Sequence, residues 1–381
     1  MSHLDTLLTT RRTIVCLGPG GVGKTTTSAA LALRAASLGR RTLVLTVDPA
    51  RRLANSLGLD RFEHEEQEIG RDRFDAAGVP YGAPLFAMML DTKRTFDAIV
   101  ERYAPSADAR DRILRSPYYA QASTRLAGSQ EYMAMEKLYA LTQSPPEPGK
   151  PRYDLIILDT PPTVHALDFL DAPGRLEELM SYNMDLSATG DDGEDQGIIS
   201  RGGRMLGRLG LGLVKANTTI LKGVGKFLGA DLFTDILSFL GDFRTMAAGF
   251  RERSTAVRRY MCSSEIAFVV LTGPERSSID EGLYLADRLV AEGMPLGSFV
   301  VNRVRFSPMD ASPNEDEHLS APARQYLSES AARYDALVSR DSRELARLDG
   351  RLPVAALRVP EFADDVCDLG DLHRYGTHLT R

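Results

Sequence analysis

Between residues 13 and 48 the chain reads TIVCLGPGGVGKTTTSAALALRAASLGRRTLVLTVD, and very few folds accommodate such a run. Its start, TIVCL, is a short apolar stretch that stops at Gly18, as a buried strand does. Residues 24–38 contain neither Gly nor Pro and are rich in Ala and Leu, which predicts a helix. A second apolar run, TLVLTV at 42–47, leads into Asp48 and Pro49. Strand, glycine turn, helix and strand in this order form the βαβ unit of a parallel sheet. The turn itself, Gly18-Pro19-Gly20-Gly21-Val22-Gly23-Lys24-Thr25, satisfies G-x-x-x-x-G-K-[ST]. Small residues at Gly20, Gly21, Val22 and Gly23 let backbone N–H groups, with those of Thr25 and Thr26, curl around phosphates at a helix start. Lys24 is then placed to reach the β- and γ-phosphates of ATP, and the Thr25 hydroxyl to ligate Mg²⁺.

Further buried strands are predicted at 85–90 (LFAMML), 153–158 (YDLIIL), 266–271 (IAFVVL), 296–301 (LGSFVV) and 352–357 (LPVAAL). The expected fold class is therefore α/β, a doubly wound and mainly parallel sheet carried by one P-loop domain over 1–381. Two segments break the alternation. Residues 91–142 read as a helical insertion, with Tyr132, Met135, Leu138 and Tyr139 forming a core-facing stripe. Residues 173–260 read as a helical subdomain with a mobile loop near 187–197, SATGDDGEDQG.

A net charge of −6 speaks against binding nucleic acid through a basic surface. Cys16, Cys262 and Cys367 are far apart and form no C-x-x-C pair, which fits a reducing cytoplasm rather than a disulfide framework or structural zinc. The first residues, MSHLDTLLTTRR, lack a signal-peptide pattern, and no charge-free run approaches the ~18 residues of a membrane span. A cytoplasmic protein is expected.

Hydrolysis needs a carboxylate near the metal and a group that orients water. Asp159, ending YDLIILD, is placed either to support the magnesium shell through water or to cap a following helix. Asp48, in an Asp-Pro turn, is the candidate to polarise the attacking water, a role that rests partly on the resemblance that follows. With these pieces the chain resembles the anion-transporting ATPase family, which includes the arsenite-pump and tail-anchored-protein-targeting ATPases. The resemblance rests on the P-loop stretch, LAGSQEYMAMEKLYAL, YDLIILDTPPTVHALDFLDAP, FVVLTGPE and FVVNRV. It implies that switch I is Asp48-Pro49-Ala50 and that switch II is Asp159 to Thr163, with His165 close behind. It also implies that Asn302 reads adenine and that a late loop around Val359 and Pro360 forms the second adenine wall.

The same resemblance implies a dimer, in which many members place a lysine where this chain has Pro19. Three outcomes stay open: a heterodimer with a paralogous, lysine-bearing ATPase, a homodimer using another cation, or slow hydrolysis in a nucleotide-gated switch. The family's arsenite-binding cysteine trio and zinc-binding C-x-x-C have no counterpart here, so neither specialised function carries over. Residues 201–260 hold 11 Lys/Arg against 4 Asp/Glu among many apolar residues, which reads as amphipathic helices. They either pack structurally or offer a hydrophobic client groove or membrane-surface contact. The leading expectation is a Mg-ATPase whose dimer opens and closes with its nucleotide. A hydrolysis-poor scaffold and a Min/Par-type positioning ATPase are the rivals.

Overall fold

The computed structural model describes residues 2–47, 52–59, 64–116, 119, 129–143, 151–160, 246–307, 320–348 and 350–380. Switch I at 48–50, switch II beyond Thr160, the loop at 187–197 and residues 201–245 of the basic, apolar segment lie outside the described residues. The chain divides into two compact units. One comprises Met1–Leu90, Lys137–Leu170 and Arg259–Arg381; the other comprises Asp91–Glu136 and Asp171–Arg258.

The first unit is built on an eight-stranded sheet. Helix α1 (His3–Thr10), capped by the Ser2 side chain, leads into β1 (Thr13–Leu17), and α2 (Lys24–Ser37) into β2 (Thr42–Thr46). After the short α3 (Arg52–Ser56) come β3 (Gln67–Ile69), α4 (Arg71–Ala76) and β4 (Leu85–Met89). In the second unit, α5 (Thr92–Tyr103) and α6 (Ala107–Arg115) precede the start of α7 (Ser129–Gln143). The chain returns to the first unit with β5 (Leu155–Asp159). Most of α8 (Ala247–Met261) belongs to the second unit, and the first then continues through β6 (Ile266–Thr272), α9 (Arg276–Ala291), β7 (Leu296–Val304), α10 (Ala321–Leu345), β8 (Ala356–Pro360) and α11 (Leu369–Leu379).

Strand order is β3-β4-β2-β5-β1-β6-β7-β8, parallel throughout except for β3 against β4. The chain winds from β1 toward one edge and later toward the other, so β1 lies at the reversal of winding, where ligands collect at strand carboxyl ends. Strands β1, β2 and β5 are buried along their whole length, as parallel strands covered on both faces must be. Helix α2 offers mostly alanines to one face, and their small side chains let α11 approach closely: a Cβ on Gly376 would sit 3.7 Å from the Ala30 carbonyl.

Two predicted features are corrected. The last strand is not 352–357 but β8, because the turn residues before it stay out of the ladder and pairing with β7 begins at Ala356. Val359 and Pro360 therefore close an edge strand rather than sit in a loop, and an edge is where a residue without an N–H is tolerated. Strand β3 was not expected at all: three residues, two of them polar, carry too short a pattern to read.

The second unit holds a buried ion pair. Arg253 Nε donates to both oxygens of Glu136, at 2.9 and 2.8 Å, with each side chain 8% exposed. Of the predicted stripe, Tyr132 and Met135 are fully buried in this unit and Leu138 in the first, while Tyr139 is partly exposed.

Candidate functional site

The site grows from β1. The chain must turn sharply under the β6 carboxyl end, and a Cβ on Gly18 would come within 2.1 Å of the Leu271 carbonyl oxygen. Five residues on, Gly23 has φ +90° and serves as the N-cap of α2 without any side-chain cap. A Cβ there would lie 2.4 Å from Asn302 Nδ2. Glycine at this position thus leaves the first-turn N–H groups of α2 without a side-chain acceptor and the space above them clear. That is the arrangement an anion occupies.

Lys24 is buried, and its Nζ donates to the carbonyls of Gly18 at 2.8 Å and Pro19 at 2.7 Å. The ammonium is thus held over its own loop. Thr25 Oγ1 donates to Asp159 Oδ2 at 2.8 Å, and Thr46 Oγ1, from the tip of β2, donates to the same oxygen at 2.9 Å. Asp159 is fully buried, so three neighbouring strand and helix ends converge on one carboxylate. A hydroxyl beside a carboxylate at the end of a phosphate loop is a donor set that suits a hard, oxygen-loving cation such as Mg²⁺. Thr160 Oγ1 donates to the Cys16 carbonyl at 2.7 Å and anchors the residue after Asp159 onto β1. Behind the loop, burial pushes the Cys16 thiol up to about 12, with the Asp159 charge acting in the same direction against a Ser28 hydrogen bond.

Asn302, near the end of β7, donates from Nδ2 to the Val22 carbonyl at 2.9 Å, and its Oδ1 accepts from the Arg303 N–H at 3.0 Å. One amide hydrogen and one lone pair remain, which is what an adenine edge requires. A cavity of about 820 Å³ runs from Lys24, Thr25 and Thr26 past Asn302 to Pro360 and on to Phe362 and Asp365. Gly21 and Gly23 also face it. Gly20 and Val22 face a second cavity of about 280 Å³, shared with Pro19, Glu275, Glu281 and Arg303. Asp48, assigned to the attacking water, and His165 lie outside the described residues.

Three contributors escaped the sequence reading. Thr46 looked like an ordinary strand residue, although its place next to the Val47-Asp48 turn puts it at a strand tip. Tyr375, whose hydroxyl lies 2.8 Å from Thr27 Oγ1, comes from α11 and lines the cavity, with no local signal to announce it. Arg303 follows Asn302 directly, in a run that reads as a plain strand end.

A parallel sheet whose central strand feeds a glycine loop and an uncapped helix, with a buried carboxylate on the adjacent strand tip, is the architecture of a P-loop nucleotide hydrolase. Residues 11–189 match the model of the family described as anion-transporting ATPase. Similar proteins include ATPase GET3 of Malassezia globosa, 30% identical over 168 residues, or 44% of either chain. ATPase get3 of Neurospora crassa is 25% identical over 318 residues, covering 84% of this chain and 80% of that one. ATPase GET3 of Zygosaccharomyces rouxii is 24% identical over 308 residues, 80% of this chain and 76% of its own. The chain thus spans under half of the Malassezia protein and about four fifths of the two longer matches. Among the described residues, no helix is long and apolar enough to cross a membrane.

Proposed function

We propose that the whole protein is a Mg-dependent ATPase whose nucleotide state opens and closes a dimer, and that this movement acts on a client or partner. The observation that carries this reading is the Asp159 carboxylate gripped by Thr25 and Thr46 beside the uncapped start of α2. Thr25 and Asp159 would hold the metal, the latter through water. Magnesium, when bound, would spread the charge that develops on the transferred phosphoryl group. Lys24 turns from its own loop carbonyls to the β- and γ-phosphates, and the N–H groups from Gly21 to Thr26 line the phosphate chain. Asn302 and Pro360 take the adenine. Asp48 orients the attacking water.

Pro19 supports a second reading. With no cation at this position, a homodimer has nothing here to reach across to the partner's nucleotide, and a lysine-bearing paralogue would supply it at one site. Without such a partner, either a homodimer uses another cation or the protein is a hydrolysis-poor, nucleotide-gated scaffold. The relatives' printed names give ATPase activity, which agrees with the first reading. The segment 201–260, basic and apolar, is proposed as the surface that meets the client.

Steady-state turnover of MgATP by the purified chain tests the proposal, with Lys24→Ala as the control. The expectation is measurable turnover that falls by about 10² or more in the variant, in line with losing charge stabilisation of the transition state. Equal rates in both proteins would remove the site from the chemistry.

A further inference from the structure

The ladder between β7 and β8 is broken at one place. Val301 pairs with Arg358 and Val304 with Pro360, so three steps along β7 face two along β8. The extra residue falls at Asn302-Arg303, opposite Val359. Arg303 has φ +59°, the one non-glycine with a positive φ among the described residues. Left-handed backbone is unfavourable for a residue with a Cβ and persists where the surroundings demand it. Bulges of this kind bend a strand and re-aim a side chain. Without one, neighbouring side chains leave opposite faces of a sheet; here both Asn302 and Arg303 face the 820 Å³ cavity and the smaller one beside Pro19.

The two arginines that follow Asn302 differ in what they hold. Arg305 is bonded to buried Asp341 at 3.1 Å and to Glu361 at 3.0 Å. Arg303 is exposed and makes no side-chain hydrogen bond or ion pair with any described residue. The other cation on the large cavity, Lys24, is folded onto carbonyls.

We infer that Arg303 is a phosphate-binding cation, supplied from within the same chain by the β7 bulge, that faces the nucleotide on the side where Pro19 offers no charge. The inference rests on the nucleotide-site reading above and adds a residue to it. A guanidinium suits the task, since its planar fork matches phosphate oxygens and stays charged at any working pH.

Calorimetry on the full chain tests it with three ligands: MgATP, MgADP and adenosine. Arg303→Gly is the decisive variant, because glycine keeps the left-handed backbone without strain while removing the cation. Its affinity for MgATP and MgADP should fall by roughly tenfold or more, the value of a lost charge-assisted bond. Adenosine affinity and the melting temperature should hold. The salt dependence of MgATP binding should flatten, and Arg303→Lys should recover part of the loss. Unchanged MgATP affinity in Arg303→Gly overturns the inference while leaving the site intact, and so does an equal loss for adenosine. No heat with wild-type protein and MgATP overturns the site reading itself, and Arg303 with it.

Discussion

Gly23, Thr46 and Cys16 show three ways in which one residue sets the chemistry of its neighbours. At Gly23 both φ and the 2.4 Å approach of Asn302 forbid a side chain. Gly23→Ala should destabilise the fold by more than about 1 kcal/mol and remove MgATP binding, read together by thermal melting and calorimetry. Thr46→Val keeps the shape but takes one hydroxyl from Asp159. A loss of roughly 1 kcal/mol in stability is expected. The affinity gained on adding Mg²⁺ to ATP should change as well; an unchanged magnesium increment would separate Thr46 from the metal site. Cys16 is fully buried with its thiol pushed up to about 12, whereas Cys262 and Cys367 are exposed. Only the thiolate alkylates, so iodoacetamide at pH 8 should label two cysteines in the native protein and the third after unfolding, counted by mass spectrometry. MgATP should slow the labelling of Cys367, which lines the large cavity.

Elements were legible where the pattern was long or chemically loud. The run from Thr13 to Thr46 combines unbroken β-branched and leucine strands with a glycine turn and an alanine-rich helix, and the structure follows it within a residue. Strand β3 was silent because a three-residue edge strand carries no period to detect. Strand β8 was misplaced by four residues at its start because the apolar run LPVAAL straddles turn and strand, and hydropathy does not say where pairing begins. The bulge at Asn302-Arg303 was equally hidden, since VVNRV reads as a plain strand end. Long-range partners were the least legible. Helix α11 meets α2 through the Thr27–Tyr375 bond across 348 residues of sequence. Tyr375→Phe leaves a buried Thr27 hydroxyl with its partner removed and should cost about 1–2 kcal/mol by denaturant titration. Glu136→Gln, in the second unit, breaks a buried bidentate pair and should cost about 3 kcal/mol or more in that unit.

For the whole molecule, the question raised by Pro19 is one of assembly. If the absent cation limits turnover, Pro19→Lys should raise the ATPase rate of the lone chain, and mixing wild-type protein with a lysine-bearing relative should raise it without mutation. Analytical ultracentrifugation with MgATP, MgADP and no nucleotide would show whether closure of a dimer accompanies the rise. A further consequence follows from the Lys24 ammonium lying on the Gly18 and Pro19 carbonyls. An anion that draws Lys24 to itself must therefore replace these two bonds. On the nucleotide-site reading proposed above, inorganic phosphate would span too little of the cradle to compensate, whereas a di- or triphosphate would engage the lysine and the helix start together. Lys24 would then sort ligands by the length of their phosphate chain before the base is read.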